Sequence, residues 1–435
     1  MTQRITRRTA MTAAAATVAA PFVFRKFATA APSETLMHVS VGGNGMAKSD
    51  ITALSASKNL KLVAASDVDK DRAMWITQAF PDCKIYEDWR EMFAKEKFDS
   101  ANISCPDHMH AVPTMRAIRM GKHVYTQKPL TQTIHEARKL TEAAAEKKIV
   151  SQMGTQVHSA AEHRSVVATI QSGAIGKVKQ VYSWSGKDWG DPAERPDRKD
   201  PIPANLNWDL WLGVAQEIPF LGGAYYHPGN WRKRLDFGTG TFGDMGCHIL
   251  DPVYGSLGVG MPKAVKSVGE APNKTNWPLN CEVQFTYPGS KFTTDTVTVT
   301  WYNGKNRPPE DVAKLVAPHK LPSQGSIYIG TEGVMFSPYG GGMPILMTGD
   351  KKITTVKGTN HYMQFVEAVR GNDKTTASFG YAGPLTEMVL LGCLATRFPG
   401  VQLDWDAEKM VVTNHQPANQ FVRREYRKGW EEEGF

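Results

Sequence analysis

Between residues 36 and 147 the chain alternates short apolar runs with stretches of helical period, and this alternation constrains the fold more than any other feature. Leu36–Val41, Leu60–Ala65, Lys84–Tyr86, Phe98–Ser104 and His123–Tyr125 read as strands. Helical spacing of apolar residues begins at Met46 and recurs over Lys70–Phe80, Trp89–Phe93, His110–Met120 and Thr133–Lys147. Strands joined by helices pair in parallel, because each helix carries the chain back along the sheet. The fold class is therefore α/β, with helices covering both faces of a parallel sheet.

The first strand runs into Gly42-Gly43-Asn44-Gly45. A phosphate-binding turn needs small residues where the backbone approaches a pyrophosphate, and a helix N-terminus aimed at it. In a G-x-G-x-x-G register the three glycine positions fall on Ser40, Gly42 and Gly45, so the first is a serine. The motif is weak alone. Asp67, twenty-two residues after Gly45 at the end of the second strand, strengthens it. A carboxylate there hydrogen-bonds ribose hydroxyls and repels a 2′-phosphate, which favours NAD over NADP. The competing reading is a tight turn with a helix-capping aspartate.

The first thirty residues read as a twin-arginine signal peptide. Arg7-Arg8 precede an apolar run over Ala10–Phe24, and Ala28-Thr29-Ala30 has the small-x-small pattern of a cleavage site. Ala10 and Met11 stand where a bulkier apolar pair is usual, and an uncleaved anchor is the alternative. Removing this segment takes away five Lys and Arg and no acid, so the net charge falls from +8 to +3. That balance gives no reason to expect nucleic acid. Five scattered cysteines without a C-x-x-C indicate neither a zinc site nor a disulfide framework.

Val41-Gly-Gly-Asn-Gly45, Ser66-Asp-Val-Asp69, Cys105-Pro-Asp-His-Met-His110 and Gly121-Lys-His-Val-Tyr-Thr-Gln-Lys-Pro129 together resemble the Gfo/Idh/MocA oxidoreductases. Tyr381-Ala-Gly-Pro-Leu385 and the ending Phe421–Trp430 resemble an exported bacterial subgroup of that family, so the resemblance covers nearly the whole mature chain. In the family the lysine segment ends in Glu-Lys-Pro; here it is Gln127-Lys128-Pro129. The resemblance implies an NAD-binding Rossmann domain over 31–150. It further implies a substrate-binding and oligomerisation domain over 151–435, whose last segment packs back on the first domain. It implies NAD contacts from Ser40, Gly42, Gly43, Asn44, Gly45, Asp67, Pro106, His108, Gln127 and Lys128. Asp107, beside His108, is a further candidate. A dimer or tetramer is the family expectation.

After Lys148, strand-like alternation recurs at Lys177–Ser185, Ala264–Gly269, Glu282–Tyr287, Thr293–Trp301, Ser326–Ile329 and Gly333–Ser337, with helices at Tyr362–Arg370 and Leu385–Arg397. Consecutive strands with few helices between them predict an α+β domain with an open, mainly antiparallel sheet. Residues 186–232, rich in Pro, Gly, Asn and Trp, read as a long loop over a site.

The chemical centre is expected in the Gly-rich stretch from Asp236 to Asp251. Asp244 and His248 are four apart and so share one helical face. Oxidising a secondary alcohol needs a base that accepts the hydroxyl proton, which suits histidine, with a carboxylate to orient it. An ammonium such as Lys128 holds the hydroxyl and stabilises charge developing on oxygen. Lys128, Asp244 and His248 match the family's catalytic positions one by one. The alternatives are a helix-start carboxylate with a core histidine, or a metal shell completed by His227, Asp251 or His110; the resemblance implies no metal. Trp189, Tyr226, His227, Trp231 and Arg232 are the substrate-contact candidates, because flat rings beside polar groups suit the C–H faces and hydroxyls of sugars.

Export by the twin-arginine route places the protein in the periplasm, where free NAD is scarce, so the cofactor is expected to be held tightly. A trapped cofactor fits an NAD-dependent oxidoreductase that returns its hydride to a second carbonyl compound. It also fits a redox-neutral glycosidase working by oxidation, elimination and reduction. A catalytically silent dinucleotide- or sugar-binding protein is the third alternative.

Overall fold

The computed structural model describes residues 35–347 and 351–435. The leader expected over residues 1–30 lies outside them. Among the described residues no helix is long and apolar enough to cross a membrane.

Six parallel strands form the first sheet: β1 (Leu36–Val41), β2 (Leu60–Ser66), β3 (Lys84–Tyr86), β4 (Ser100–Ile103), β5 (His123–Gln127) and β6 (Ser151–Gly154), in the order β3-β2-β1-β4-β5-β6. The helices between them are α1 (Met46–Leu54), α2 (Lys70–Ala79), α3 (Trp89–Lys95), α4 (Ala111–Arg119) and α5 (Ile134–Lys147). The central strands carry Val39, Val41, Ala101, Ile103 and Val124, all buried, as a sheet covered on both faces requires. This order reverses direction at β1 and β4, and the crevice beyond their carboxyl ends is where such folds bind ligands.

β6 has no counterpart among the predicted strands, and it carries the first layer to Gly154, past the boundary expected at 150. Its sequence is polar, but both polar side chains are buried and bonded to the far end of the chain. Ser151 Oγ accepts from Phe379 N–H at 3.1 Å, and Gln152 Nε2 donates to the His361 carbonyl at 2.8 Å.

Beyond β6, α6 (Ala161–Gln171), α7 (Trp208–Leu212), α8 (Gly240–Ile249) and α9 (Asp251–Leu257) belong to the second layer. Its sheet has nine strands: β7 (Val178–Ser185), β8 (Ala264–Gly269), β9 (Cys281–Pro288), β10 (Thr293–Asn303), β11 (Gln324–Gly330), β12 (Val334–Pro338), β13 (Ile345–Leu346), β14 (Gln402–Asp406) and β15 (Val411–Val412). The order is β13-β12-β11-β7-β10-β9-β8-β14-β15; β7 and β10 pair in parallel and the other neighbours antiparallel. Helix α8 lies on this sheet, with Phe242 stacked on Trp301 at 5.0 Å between centroids.

After α10 (Glu310–Lys314) and α11 (His361–Val369) comes α12 (Phe379–Ala395), which starts six residues before its expected position. It is apolar on every side and buried along nearly its whole length, as a helix wedged between layers must be. Its buried Glu387 takes a bidentate bond from Arg138 of α5 at 2.8 and 2.7 Å. The last residues lie against the first layer: Glu432 is held by Arg116, and Tyr426 donates to Glu136 at 2.8 Å.

Candidate active site

A cleft of about 470 Å³ opens between the carboxyl ends of the first sheet and the 186–248 region of the second layer. That size accommodates a small-molecule ligand. One end is made by the turn after β1. Gly42 has φ +103°, and a Cβ there would stand 2.8 Å from the Ser104 carbonyl oxygen, so only glycine lets the backbone come this close. Helix α1 then begins at Gly45 with no side-chain cap and no acid in its first turn, which leaves its positive end suited to an anionic group. Asp67, at the end of β2, lines the same end and accepts from Gly43 N–H at 2.8 Å and Asp69 N–H at 2.9 Å. Burial raises its pKa against those two hydrogen bonds.

The other end gathers side chains from both layers. Lys128, just past β5, donates from Nζ to Asp244 Oδ1 at 2.6 Å and to the Asp244 carbonyl at 3.0 Å. His110 pins the turn that carries it, with Nδ1 2.7 Å from the Pro129 carbonyl and Nε2 2.8 Å from that of Cys105. Arg232 donates from Nε to the same Asp244 oxygen at 3.3 Å and lies over the Trp231 ring at 4.3 Å. Burial pushes the Asp244 pKa up, but the Lys128 and Arg232 charges and the Lys128 hydrogen bond outweigh it and hold the carboxyl well below the usual range.

His248 lies one turn after Asp244 on α8 and lines the same cleft. Thr155, just past β6, donates its hydroxyl to the Cys247 carbonyl at 3.3 Å and stands 3.4 Å from His248 Nδ1. With the hydroxyl proton given to the Cys247 carbonyl, the ring proton is assigned to Nδ1, and the Nε2 lone pair is left available. Burial lowers the His248 pKa to about 3, assisted by Lys128, so the ring is neutral at pH 7.

Of the residues singled out from sequence for catalysis, cofactor or substrate, fourteen line this cleft: Gly42, Asn44, Gly45, Asp67, Pro106, Asp107, Gln127, Lys128, Trp189, His227, Trp231, Arg232, Asp244 and His248. Four do not. Ser40 is buried behind the turn, donating from Oγ to the Gly42 carbonyl at 2.8 Å. Gly43 spends its N–H on Asp67 and its carbonyl on Trp75 Nε1, so it braces the turn from behind. His108 is fully buried, with Nε2 3.1 Å from the Trp211 carbonyl and its ring against Trp211 and Phe237. Tyr226 sits 1% exposed in the aromatic cluster of Trp208, Trp211 and Phe237. All four are supports of the cleft, not walls of it.

The residues weighed as metal ligands do not converge. His227 pairs with Asp69 at 2.8 Å, Asp251 with His158 at 2.9 Å, and His110 faces two carbonyls. No group of three or more His, Cys, Asp or Glu that would hold a metal is found among the described residues.

Several residues of the site carried little sequence signal. Asp107 and His108 are neighbours in sequence, and the structure separates them: Asp107 lines the cleft and accepts from Thr239 Oγ1 at 2.9 Å. Asp50, on α1, is fully buried behind Gln127 and accepts from its Nε2 at 2.9 Å, from Ser104 Oγ at 2.7 Å and from Tyr362 OH at 2.9 Å. Burial raises its pKa to about 6 despite these bonds. A carboxylate behind an amide restores the acid that Gln127 lacks. An Asp mid-helix looks like any solvated helix residue until its neighbours are known.

Comparison with known proteins agrees with this architecture. A levoglucosan dehydrogenase from Pseudarthrobacter phenanthrenivorans is 23% identical over 164 residues, covering 38% of this chain and 34% of that protein, so the chain matches about a third of that relative's length. The WlbA dehydrogenase of Bordetella pertussis, crystallised with NADH and UDP-GlcNAcA, superposes over 86% of this chain and 99% of its own, with a TM-score of 0.61 at 14% identity. The aldose-aldose oxidoreductase of Caulobacter crescentus, crystallised with glycerol, superposes over 85% and 99%, with a TM-score of 0.58 at 15% identity. At such identities the superpositions show the fold. Residues 37–155 match the NAD-binding Rossmann fold of an oxidoreductase family, and residues 160–432 match that family's C-terminal alpha/beta domain. With the glycine turn and the Asp67 carboxylate at one end of the cleft and both family domains matched along the chain, this protein belongs to the Gfo/Idh/MocA oxidoreductase family.

Proposed function

We propose that the protein is an NAD-dependent oxidoreductase acting on a secondary hydroxyl of a sugar or sugar derivative. The observation that carries this reading is the meeting of Lys128, Asp244 and His248 in the cleft that Asp67 and the Gly42–Gly45 turn also line. NAD supplies the hydride acceptor when bound. Asp67 and the α1 N-terminus would hold it, with Gln127 and Pro106 nearer the reacting end. The remaining chemistry belongs to the chain's own side chains. The neutral His248 offers Nε2 to the substrate hydroxyl and takes its proton. The Lys128 ammonium, held by Asp244, donates to the same oxygen as negative charge develops. Asp244 stays ionised and fixes Lys128 and Arg232 in place.

Tight retention of the cofactor is part of this reading. The loop over residues 186–232 docks beside the cleft: Asn205 Nδ2 and His227 Nε2 both meet the Asp69 carboxylate at 2.8 Å, and Lys70 N–H donates to the Asn205 carbonyl. A strap across the dinucleotide end slows escape. Twin-arginine export to the periplasm, which would make retention necessary, is proposed on the sequence of the first thirty residues. Assembly into a dimer or tetramer through the open second sheet belongs to the same proposal.

Incubating the purified protein with sugars and aryl glycosides, without added cofactor, tests the reading. Carbonyl formation with absorbance of the reduced nicotinamide supports it. Release of the aglycone would instead establish the glycosidase, and sugar binding without reaction the silent binder.

A further inference from the structure

We infer that the cleft contains a subsite for an oxyanion on the substrate, built from Lys187 and Arg232, and hence that the natural sugar is acidic. This rests on the sugar reading above.

Charge is unbalanced around Asp244. Three permanent cations face its substrate end: Lys128, Lys187 and Arg232. The acids there are Asp244 and Asp107. Asp244 is already shared by Lys128 at 2.6 Å and Arg232 at 3.3 Å. Asp107 is buried and bonded to Thr239, and burial raises its pKa against the pull of Arg232 and Lys128; even counted as fully ionised, it leaves three cations facing two carboxylates. The cations therefore exceed the anions before any substrate arrives. Lys187 is exposed at the wall of the cleft and makes no ion pair among the described residues.

Arg232 is prepared for a planar anion. Its guanidinium lies 4.3 Å from the Trp231 ring centroid and 5.5 Å from that of Trp189. Its Nε is committed to Asp244, while no hydrogen bond among the described residues engages its Nη nitrogens. A guanidinium held on aromatic faces with free N–H groups is suited to a carboxylate or a phosphate oxygen pair. The backbone fixes this arrangement, because Trp189 N–H donates to Thr241 Oγ1 at 2.7 Å and so ties the loop carrying Lys187 to the helix carrying Asp244. A neutral sugar would leave the surplus charge uncompensated, and an acidic one neutralises it.

Calorimetric titration of the purified protein with methyl β-D-glucuronide, glucose 6-phosphate and methyl β-D-glucoside tests this, with turnover followed in parallel. The acidic sugars are expected to bind at least tenfold tighter than the glucoside, with the preference shrinking as salt is raised. A stronger response to the glucuronide than to the phosphate identifies a carboxylate as the anion, and the reverse a phosphate ester; either upholds the subsite. Lys187→Glu, at an exposed position where folding is not at stake, is expected to cut the acidic-to-neutral affinity ratio at least tenfold. Binding of acidic and neutral sugars within twofold of each other, or of neither, overturns the inference, as does a Lys187→Glu variant with an unchanged ratio. Charge discrimination without turnover upholds the subsite and defeats the oxidoreductase reading instead.

Discussion

Lys128 and Asp244 come from different layers, and their 2.6 Å contact is the point where the two meet chemically. Replacing Lys128 by Ala removes the donor to the reacting oxygen and leaves Asp244 buried with only the longer Arg232 contact. Turnover is expected to fall by at least about a hundredfold, while the nucleotide released on denaturation is still found by mass spectrometry, because the Asp67 end is untouched. Asp50 gives a second case. Asp50→Ala strips Gln127, Ser104 and Tyr362 of a shared buried acceptor, and a loss on the order of 3 kcal/mol is expected in denaturant unfolding. At this scale residue type and motif pointed to Lys128, Asp244 and His248, which the fold brings into one cleft. Ser40, Gly43, His108 and Tyr226 stand behind the cleft wall, because a turn or loop shows which residues are near a site and not which way each one faces.

The elements explain why the spacing worked where it did. Four residues apart on α8, Asp244 and His248 lie on one face whatever surrounds the helix, so that pairing was readable. The β1–α1 turn was readable for a similar reason, since Gly42 stands where a side chain would strike the Ser104 carbonyl. Gly42→Ala is expected to cost about 1–3 kcal/mol in thermal or denaturant unfolding and to weaken nucleotide retention as the turn is displaced. The strap over the cleft was readable only as a loop. Its attachment to Asp69 through Asn205 and His227 depends on a contact across more than a hundred residues. Asp69→Ala is expected to speed loss of bound nucleotide on dialysis by about tenfold or more, with the circular dichroism spectrum preserved. β6 escaped notice because its Ser and Gln are polar in sequence and become strand-forming only when the α11 and α12 ends satisfy them.

For the whole molecule, the buried histidines set the response to acid. Burial lowers His38, His110 and His361 to about 4, and His108 and His248 to about 3. Each is neutral when folded and binds a proton near its ordinary pKa of about 6.5 when unfolded, so the unfolded state takes up more protons as pH falls below 6.5 and stability drops. Asp50 and Asp107, raised to about 6 and about 7, act oppositely, as does His158, whose pKa Asp251 raises despite burial. Burial also lowers His123, His135 and His163 and raises Asp67, Glu136, Glu282 and Glu387; with His158 contributing little near pH 5, where the unfolded ring is itself protonated, eight lowered histidines stand against six raised carboxyls and the balance is a loss of stability. The melting temperature is therefore expected to fall between pH 7 and pH 5 in scanning calorimetry; a flat profile would contradict the neutral burial of these rings.

The alternating parallel layer, the glycine turn after β1, the largely antiparallel second sheet and the helical pairing of Asp244 with His248 were legible in the sequence. Periodicity, glycine placement and residue chemistry are local properties, legible without coordinates. Which polar residues are sealed inside, which acid stands behind Gln127, and how the second layer brings Lys187 and Arg232 to the cleft emerged only from the folded chain. Burial and long-range contact depend on where distant segments meet, and no local window of the chain contains that information.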